Sequence, residues 1–206
     1  NHDGCRIVFA PDKTLYITMG DARVGGNAQD TNSLSGKTLR INADGSIPTD
    51  NPFGNAVWSY GHRNSQGLAF HSNGKLYGSE HGDADEDEIN LITKGTNYGW
   101  PFVEGMCNTD PNSSESDYCD LQQPLKVFTP TIAVSGIAFY NGDMFPEWKG
   151  DLLLASLKSG LLYQIDLDDN GDIIGDKIII NNDHGYGRLR DVEVAPDGSI
   201  YIAISN

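Results

Sequence analysis

Residues 191–204 read DVEVAPDGSIYIAI. Two short runs, 191–194 and 199–204, flank the turn Ala195-Pro196-Asp197-Gly198. Ile200, Ile202 and Ile204 alternate with Tyr201 and Ala203, the period-two mark of a strand with one buried face. Proline presets φ and glycine enters the left-handed region freely, so the four residues between the runs reverse the chain. The same unit stands at 6–19, where RIVF and TLYITM flank APDK, and at 67–79, where GLAF and KLYGS flank HSNG. Residues 136–140 (GIAFY) and 151–156 (DLLLAS) make a fourth copy with a longer insert. Anchored on Phe9, Phe70, Phe139 and Val194, the unit returns about every sixty residues, the period of a propeller blade or a related array.

Further strand-like runs at 37–42, 56–60, 88–92, 160–166 and 177–181 bring the total to about four strands per repeat, as a blade needs. No window carries sustained helical spacing with caps. The expectation is therefore an all-β fold, a single domain over 1–206 with roughly three and a half blades. Propellers close with about 4–8 blades, so a ring would need more chain than this. The start, NHDGCRIVF, enters a strand directly, without the basic and apolar segments of a signal peptide, and reads as the middle of a longer protein.

The net charge is −15 over 206 residues. That argues against nucleic acid, which requires clustered Lys and Arg, and offers nothing to an anionic membrane. No apolar run approaches the ~18 residues of a spanning helix. Cys107 and Cys119 bracket a polar loop, CNTDPNSSESDYC. Such spacing suits a disulfide in an oxidising compartment, with two free thiols as the alternative. Cys5 is then unpaired or buried as a small apolar residue.

Candidate chemistry gathers at 61–100, GHRNSQGLAFHSNGKLYGSEHGDADEDEINLITKGTNYGW. It combines a basic turn (His62, Arg63, Asn64, Gln66) with an acidic loop, Asp83 to Glu88. So many carboxylates in one turn repel one another without a cation, although a solvated acidic loop explains them equally well. The EF-hand pattern fails there: Glu88 stands where glycine is required and Lys94 where glutamate is. The run 166–171 imitates the same loop but lies between strands and reads as a hairpin turn. His2 is of a type suited to general-base work, though a histidine in that position is more often a solvated side chain. Arg188 and Arg190 leave one face of a strand, while plain alternation points Asp191 the other way. With Arg63 and Lys158 they are four cations at strand ends in different repeats, a set able to converge on a multiply charged anion. No nucleophile elbow, Walker loop or CxxC is present.

At these residues the chain resembles the pyrroloquinoline-quinone-dependent soluble aldose sugar dehydrogenases, the glucose/sorbosone dehydrogenase family. The motifs are GHRNSQGLAF (61–70), SEHGDADEDEINLI (79–92), NYGWP (97–101), PTIAVSGIAFY (130–140), FPEWKGDLLLASLKSG (145–160) and GRLRDVEVAPDG (187–198). The resemblance covers essentially the whole chain. It implies a six-bladed propeller of which this chain spans roughly the last four blades, lacking the N-terminal ones. It implies oxidation of an aldose at its anomeric carbon to the lactone, with pyrroloquinoline quinone and Ca2+. By resemblance His2 is the base and Arg63 stands beside the reacting carbonyl. Asn64, Thr131, Lys158, Arg188 and Arg190 are cofactor contacts. Carbonyls of Gly82 and Asp83 match those holding one calcium, with Asp83 departing from a common proline. Glu88 and the Tyr98 carbonyl match a second calcium site. The family further implies a periplasmic or secreted protein, an external electron acceptor and a possible homodimer. The rival reading is a calcium-binding extracellular propeller without chemistry, distinguished by lacking the set His2, Arg63, Lys158, Arg188 and Arg190.

Overall fold

The repeated turns close in one way. Ala10, His71 and Ala195 each donate N–H to the carbonyl four residues on, at 2.8–2.9 Å, and accept from the N–H three residues on. The third turn residue, Asp12, Asn73 or Asp197, accepts the N–H two positions further along through its side chain. The residue before that donor must be left-handed: Lys13 (φ 69°), Gly74 (88°) and Gly198 (86°). Glycine takes that conformation without steric cost, whereas lysine does not.

A computed structural model describes residues 2–205, and within them the turns build four antiparallel sheets. The first holds β1 (Ile7–Phe9), β2 (Leu15–Met19), β3 (Lys37–Ile41) and β4 (Val57–Tyr60), with a one-turn helix α1 (Gly26–Gln29) between β2 and β3. The second holds β5 (Ser65–Phe70), β6 (Leu76–Glu80), β7 (Asp87–Ile92) and β8 (Lys126–Phe128). The third holds β9 (Val134–Phe139), β10 (Leu152–Ser156), β11 (Leu162–Leu167) and β12 (Ile173–Ile180). The fourth is the pair β13 (Arg188–Val194) and β14 (Ile200–Ser205). The all-β expectation holds, and the predicted strands reappear with ends moved by a few residues. β8 was not expected. The disulfide joins Cys107 to Cys119, and Cys5 is a free, exposed thiol.

Apolar cores lie between successive sheets. Tyr16 of the first sheet packs with Leu68, Leu76 and Ile92 of the second. Tyr77 and Ile89 of the second pack with Ile137, Leu152 and Leu154 of the third. Leu153 and Ala155 of the third pack with Leu189 and Val192 of the fourth. Alternate residues of β10 thus enter two different cores, which is why the run LLLAS is buried throughout rather than alternating. The first strand of every sheet faces one shared cavity of about 460 Å³, lined by Val8, Leu68, Ile137, Ala138, Glu193 and neighbours. The sheets therefore stack face to face around a common axis.

Candidate functional site

The strand register decides where the candidate residues lie. His2 precedes β1, Arg63 and Asn64 precede β5, Thr131 precedes β9, and Arg188 and Arg190 open β13. Lys158 follows β10, whose Ser156 pairs with Val134 at the start of β9. Gly82 and Asp83 follow β6, whose Glu80 pairs with Ser65 at the start of β5. All of them sit at the same end of their sheets, around the axis the four first strands share. Side chains stitch that end together. Asn64 Oδ1 accepts the Gly4 N–H (3.0 Å), Ser79 Oγ donates to the Ser135 carbonyl (2.6 Å), and Ser135 Oγ donates to the Leu189 carbonyl (2.7 Å).

His2 is not a solvated terminal residue. Its Nδ1 lies 2.7 Å from Oδ1 of Asp21, a carboxylate only 1 % exposed. The same carboxylate accepts the Arg23 N–H (2.7 Å) and, through Oδ2, the Trp100 indole N–H (2.8 Å). In a neutral imidazole, a carboxylate at Nδ1 holds the ring proton on that nitrogen and leaves the lone pair on Nε2. The Trp100 ring in turn lies under the Arg63 guanidinium, 5.2 Å from its centroid. One chain of contacts thus runs from His2 through Asp21 and Trp100 to Arg63. Left-handed backbone at His2 (φ 55°), Ala22 (56°) and Arg23 (62°) surrounds it. Strain of that kind, about 1–3 kcal/mol per residue, persists where surrounding contacts enforce it.

Arg63 is fixed from both sides. Its main-chain N–H and that of Asn64 point at Glu80 Oε1, while Glu80 Oε2 accepts Ser65 Oγ and faces His62 Nδ1, each at 2.9 Å. Burial would raise the Glu80 carboxyl, but His62 and these donors hold it below the usual range. The Arg63 side chain reaches the His81 carbonyl (3.3 Å) and Asp83 (2.5 Å), while its Nε is buried without a partner. The loop 82–86 is clamped by Asp87 Oδ1, which accepts the Gly82 N–H (3.1 Å), and by Glu104, which accepts from Asp83. Asp87 Oδ2 also accepts the Ile132 and Val134 N–H groups, tying the entry of β9 to this loop.

Gly82, Glu88 and Tyr98 line one small cavity with Arg63, Glu80, Trp100 and Glu104. Burial, then the nearby Glu80, pushes the Glu88 carboxyl up to about 8. Its oxygens accept from Asn90 (2.8 Å) and the Gly105 N–H (2.7 Å). Oxygen-rich walls of this kind suit a hard cation. Among the described residues, however, no three acidic, histidine or cysteine side chains gather as a metal centre. Any ion would therefore need backbone oxygens.

Lys158 Nζ donates to Thr131 Oγ1 (3.2 Å), so the structure joins these two predicted residues. Asn64 is turned inward, its Oδ1 shared by Gly4 and Gln66. Arg188 and Arg190 are both exposed, and Arg190 Nε donates to Ser205 Oγ (2.8 Å). The expected direction of Asp191 is corrected. The register slips by one residue between Leu189 and Asp191, and Leu189 and Val192 share one core. A bulge of this kind puts Arg190 and Asp191 on the same side of the strand. Sequence reasoning also missed Asp21 and Glu80. The one local cue was a carboxylate just beyond the end of each expected strand.

The sequence pattern described as Glucose / Sorbosone dehydrogenase matches residues 1–206. The chain belongs to this family. Among curated relatives of glucose/sorbosone dehydrogenase type, it is 38% identical to the aldose sugar dehydrogenase YliI of Escherichia coli over 98% of its length. It is 31% identical to quinoprotein glucose dehydrogenase B of Acinetobacter calcoaceticus over 100% of its length. It covers 57% and 59% of those two proteins, little more than half of each. Among solved structures, the PQQ-bound aldose sugar dehydrogenase of Streptomyces coelicolor superposes with TM-score 0.81 at 36% identity, over 99% of this chain and 56% of that one. The apo-form of the soluble enzyme from Escherichia coli gives 0.85 at 36%, over 96% and 59%. The four antiparallel sheets therefore follow the fold of known quinoprotein sugar dehydrogenases.

Proposed function

We propose that the protein oxidises an aldose sugar at the anomeric carbon to its lactone, with pyrroloquinoline quinone as cofactor and an external electron acceptor. In this reading the four sheets are consecutive blades of a six-bladed propeller, roughly the last four, in a periplasmic or secreted protein. The observation that carries the reading is the contact chain from His2 through Asp21 and Trp100 to Arg63. The rival calcium-binding propeller is set apart by lacking His2, Arg63, Lys158, Arg188 and Arg190, and this chain has all five.

The donor set fits a polyanionic quinone. Arg63 Nε is buried and unpaired, and Lys158, Arg188 and Arg190 stand at the same end of their sheets. Lys158, Thr131, Arg188 and Arg190 would hold the carboxylates, with Asn64 fixing the arginine turn, because charge-assisted bonds to carboxylates are the strong ones. Arg63 would sit beside the carbonyl on which charge develops. Calcium would be held by carbonyls of Gly82 and Asp83, with a second ion at Glu88 and the Tyr98 carbonyl. Pyrroloquinoline quinone, when bound, supplies the two-electron acceptor for the sugar's hydride. His2 accepts the proton of the anomeric hydroxyl at Nε2, and Asp21 stabilises the imidazolium that results.

The test is reconstitution of the full-length protein with calcium and the quinone, followed by dye reduction with a panel of aldoses. Reduction should need both quinone and a free anomeric hydroxyl, so a methyl glycoside should be inert. A protein that binds the quinone yet reduces no dye with any aldose would contradict the proposal.

A further inference from the structure

Asp191 follows Arg190 directly and, because of the bulge, shares its side of the strand. An unpaired carboxylate there would neutralise the arginine pair and compete with any anionic ligand for it. The structure shows it occupied elsewhere. Asp191 Oδ2 lies 2.5 Å from Arg6 Nη1, an ion pair joining the entry of β1 to β13, the first sheet to the fourth. Arg6 is itself held by its Nε, which donates to the Gln66 carbonyl of the second sheet (3.3 Å). Asp191 Oδ1 accepts the Val192 N–H (3.1 Å). Among the described residues neither Arg188 nor Arg190 is paired with a carboxylate. Arg6 belongs to none of the predicted cofactor contacts, and below the pair lies the shared cavity lined by Val8 and Glu193.

We propose that Arg6 is a positioning residue of the anion site: by engaging Asp191 across the axis it keeps Arg188 and Arg190 available to the anionic cofactor. The inference rests on the quinone reading of that site. Its signature is rescue. Removing Arg6 frees Asp191 to turn on its neighbour, and removing Asp191 as well makes the loss of Arg6 harmless. A purely architectural brace behaves otherwise, since deleting its second half restores nothing.

The experiment titrates the full-length apo-protein with pyrroloquinoline quinone, read by tryptophan fluorescence, for the wild type, Arg6→Gln, Asp191→Asn and the double variant. Arg6→Gln should bind roughly 10-fold more weakly, the equivalent of about 1.4 kcal/mol. Asp191→Asn should bind at least as tightly as the wild type, and the double variant should return to within about 3-fold of Asp191→Asn. Should Arg6→Gln not fold, Arg6→Met with and without Asp191→Asn carries the same comparison, because methionine removes the charge and keeps an unbranched apolar stem. Arg6→Gln binding like the wild type, Asp191→Asn binding more weakly than the wild type, or a double variant as weak as Arg6→Gln, would each overturn the inference. A wild type that binds no quinone overturns the proposed function, and this inference with it.

Discussion

Glu80 is the single acceptor on which the Arg63 turn is built, and its replacement tests that reading quantitatively. Four donors meet its two oxygens: the N–H groups of Arg63 and Asn64, Ser65 Oγ, and His62 Nδ1. All four residues are buried, and His62 passes the chain on to Ser59 Oγ at 2.8 Å. In Glu80→Leu, of similar size, both main-chain N–H groups lose their acceptor and cannot move away. At about 1–3 kcal/mol for each orphaned buried donor, the main-chain pair alone costs roughly 2–6 kcal/mol. Glu80→Gln keeps one oxygen for the two N–H groups and turns its amide toward His62 and Ser65. A hydroxyl can rotate and an imidazole can change tautomer, so both can accept instead. The remaining loss is the charge-assisted part, about 1–2 kcal/mol. Urea unfolding of the three full-length proteins measures the difference. If neither destabilises, the carboxylate does not hold the turn; if Gln costs as much as Leu, one retained oxygen does not satisfy the two main-chain N–H groups and the argument from orphaned donors fails.

Three further outcomes follow from the geometry. Asp21→Asn removes the charge that orients His2, and kcat should fall by roughly 10²–10⁴ with quinone affinity retained, since the base and not the anion site is altered; an unchanged kcat would show that His2 needs no such partner. Lys13→Gly should stabilise by about 0.5–1 kcal/mol in thermal unfolding, because lysine occupies the left-handed position that glycine fills at Gly74 and Gly198; a lower Tm would contradict the turn argument. The Glu88 carboxyl is raised to about 8 in the fold, so its contribution is complete below the unfolded value and is lost as pH climbs toward 8. Without calcium, Glu88→Gln should therefore melt above the wild type at pH 9 and match it more closely at pH 5. Added calcium should narrow the pH 9 gap by raising the wild type more than the variant, which keeps the Gly82 and Asp83 carbonyls, and a calcium shift of equal size in both proteins would remove Glu88 from the ligand set.

What the sequence disclosed follows the range of the interactions. The hairpins were legible because a period-two run and a four-residue turn are complete within fifteen positions, and the same turn bonds recur at Ala10, His71 and Ala195. The third strand of each four-stranded sheet, and the fourth of the first and third sheets, were legible as short strand-like runs, but β8 was not. It is three residues long, follows a Gln- and Pro-containing stretch, and exists because Asp87–Ile89 offers it an edge. The bulge at Arg190 was hidden for a related reason: one extra residue leaves no compositional trace, yet it moves Asp191 to the other face. The cations could be named singly, because each sits beside a recognisable turn. Their partners could not. Asp21 meets Trp100 across 79 positions and Arg6 meets Asp191 across 185, and only the stacking of sheets brings such residues together.

The most direct measurement is the quinone affinity of the full-length protein with both Arg188 and Arg190 replaced by glutamine. If these two guanidinium groups grip the carboxylates of the cofactor, losing both removes charge-assisted bonds worth about 3–6 kcal/mol, and binding should weaken by roughly 10²–10⁴-fold while the fold stays intact. An affinity equal to that of the wild type would mean that the cations gathered at this end of the sheets serve something else.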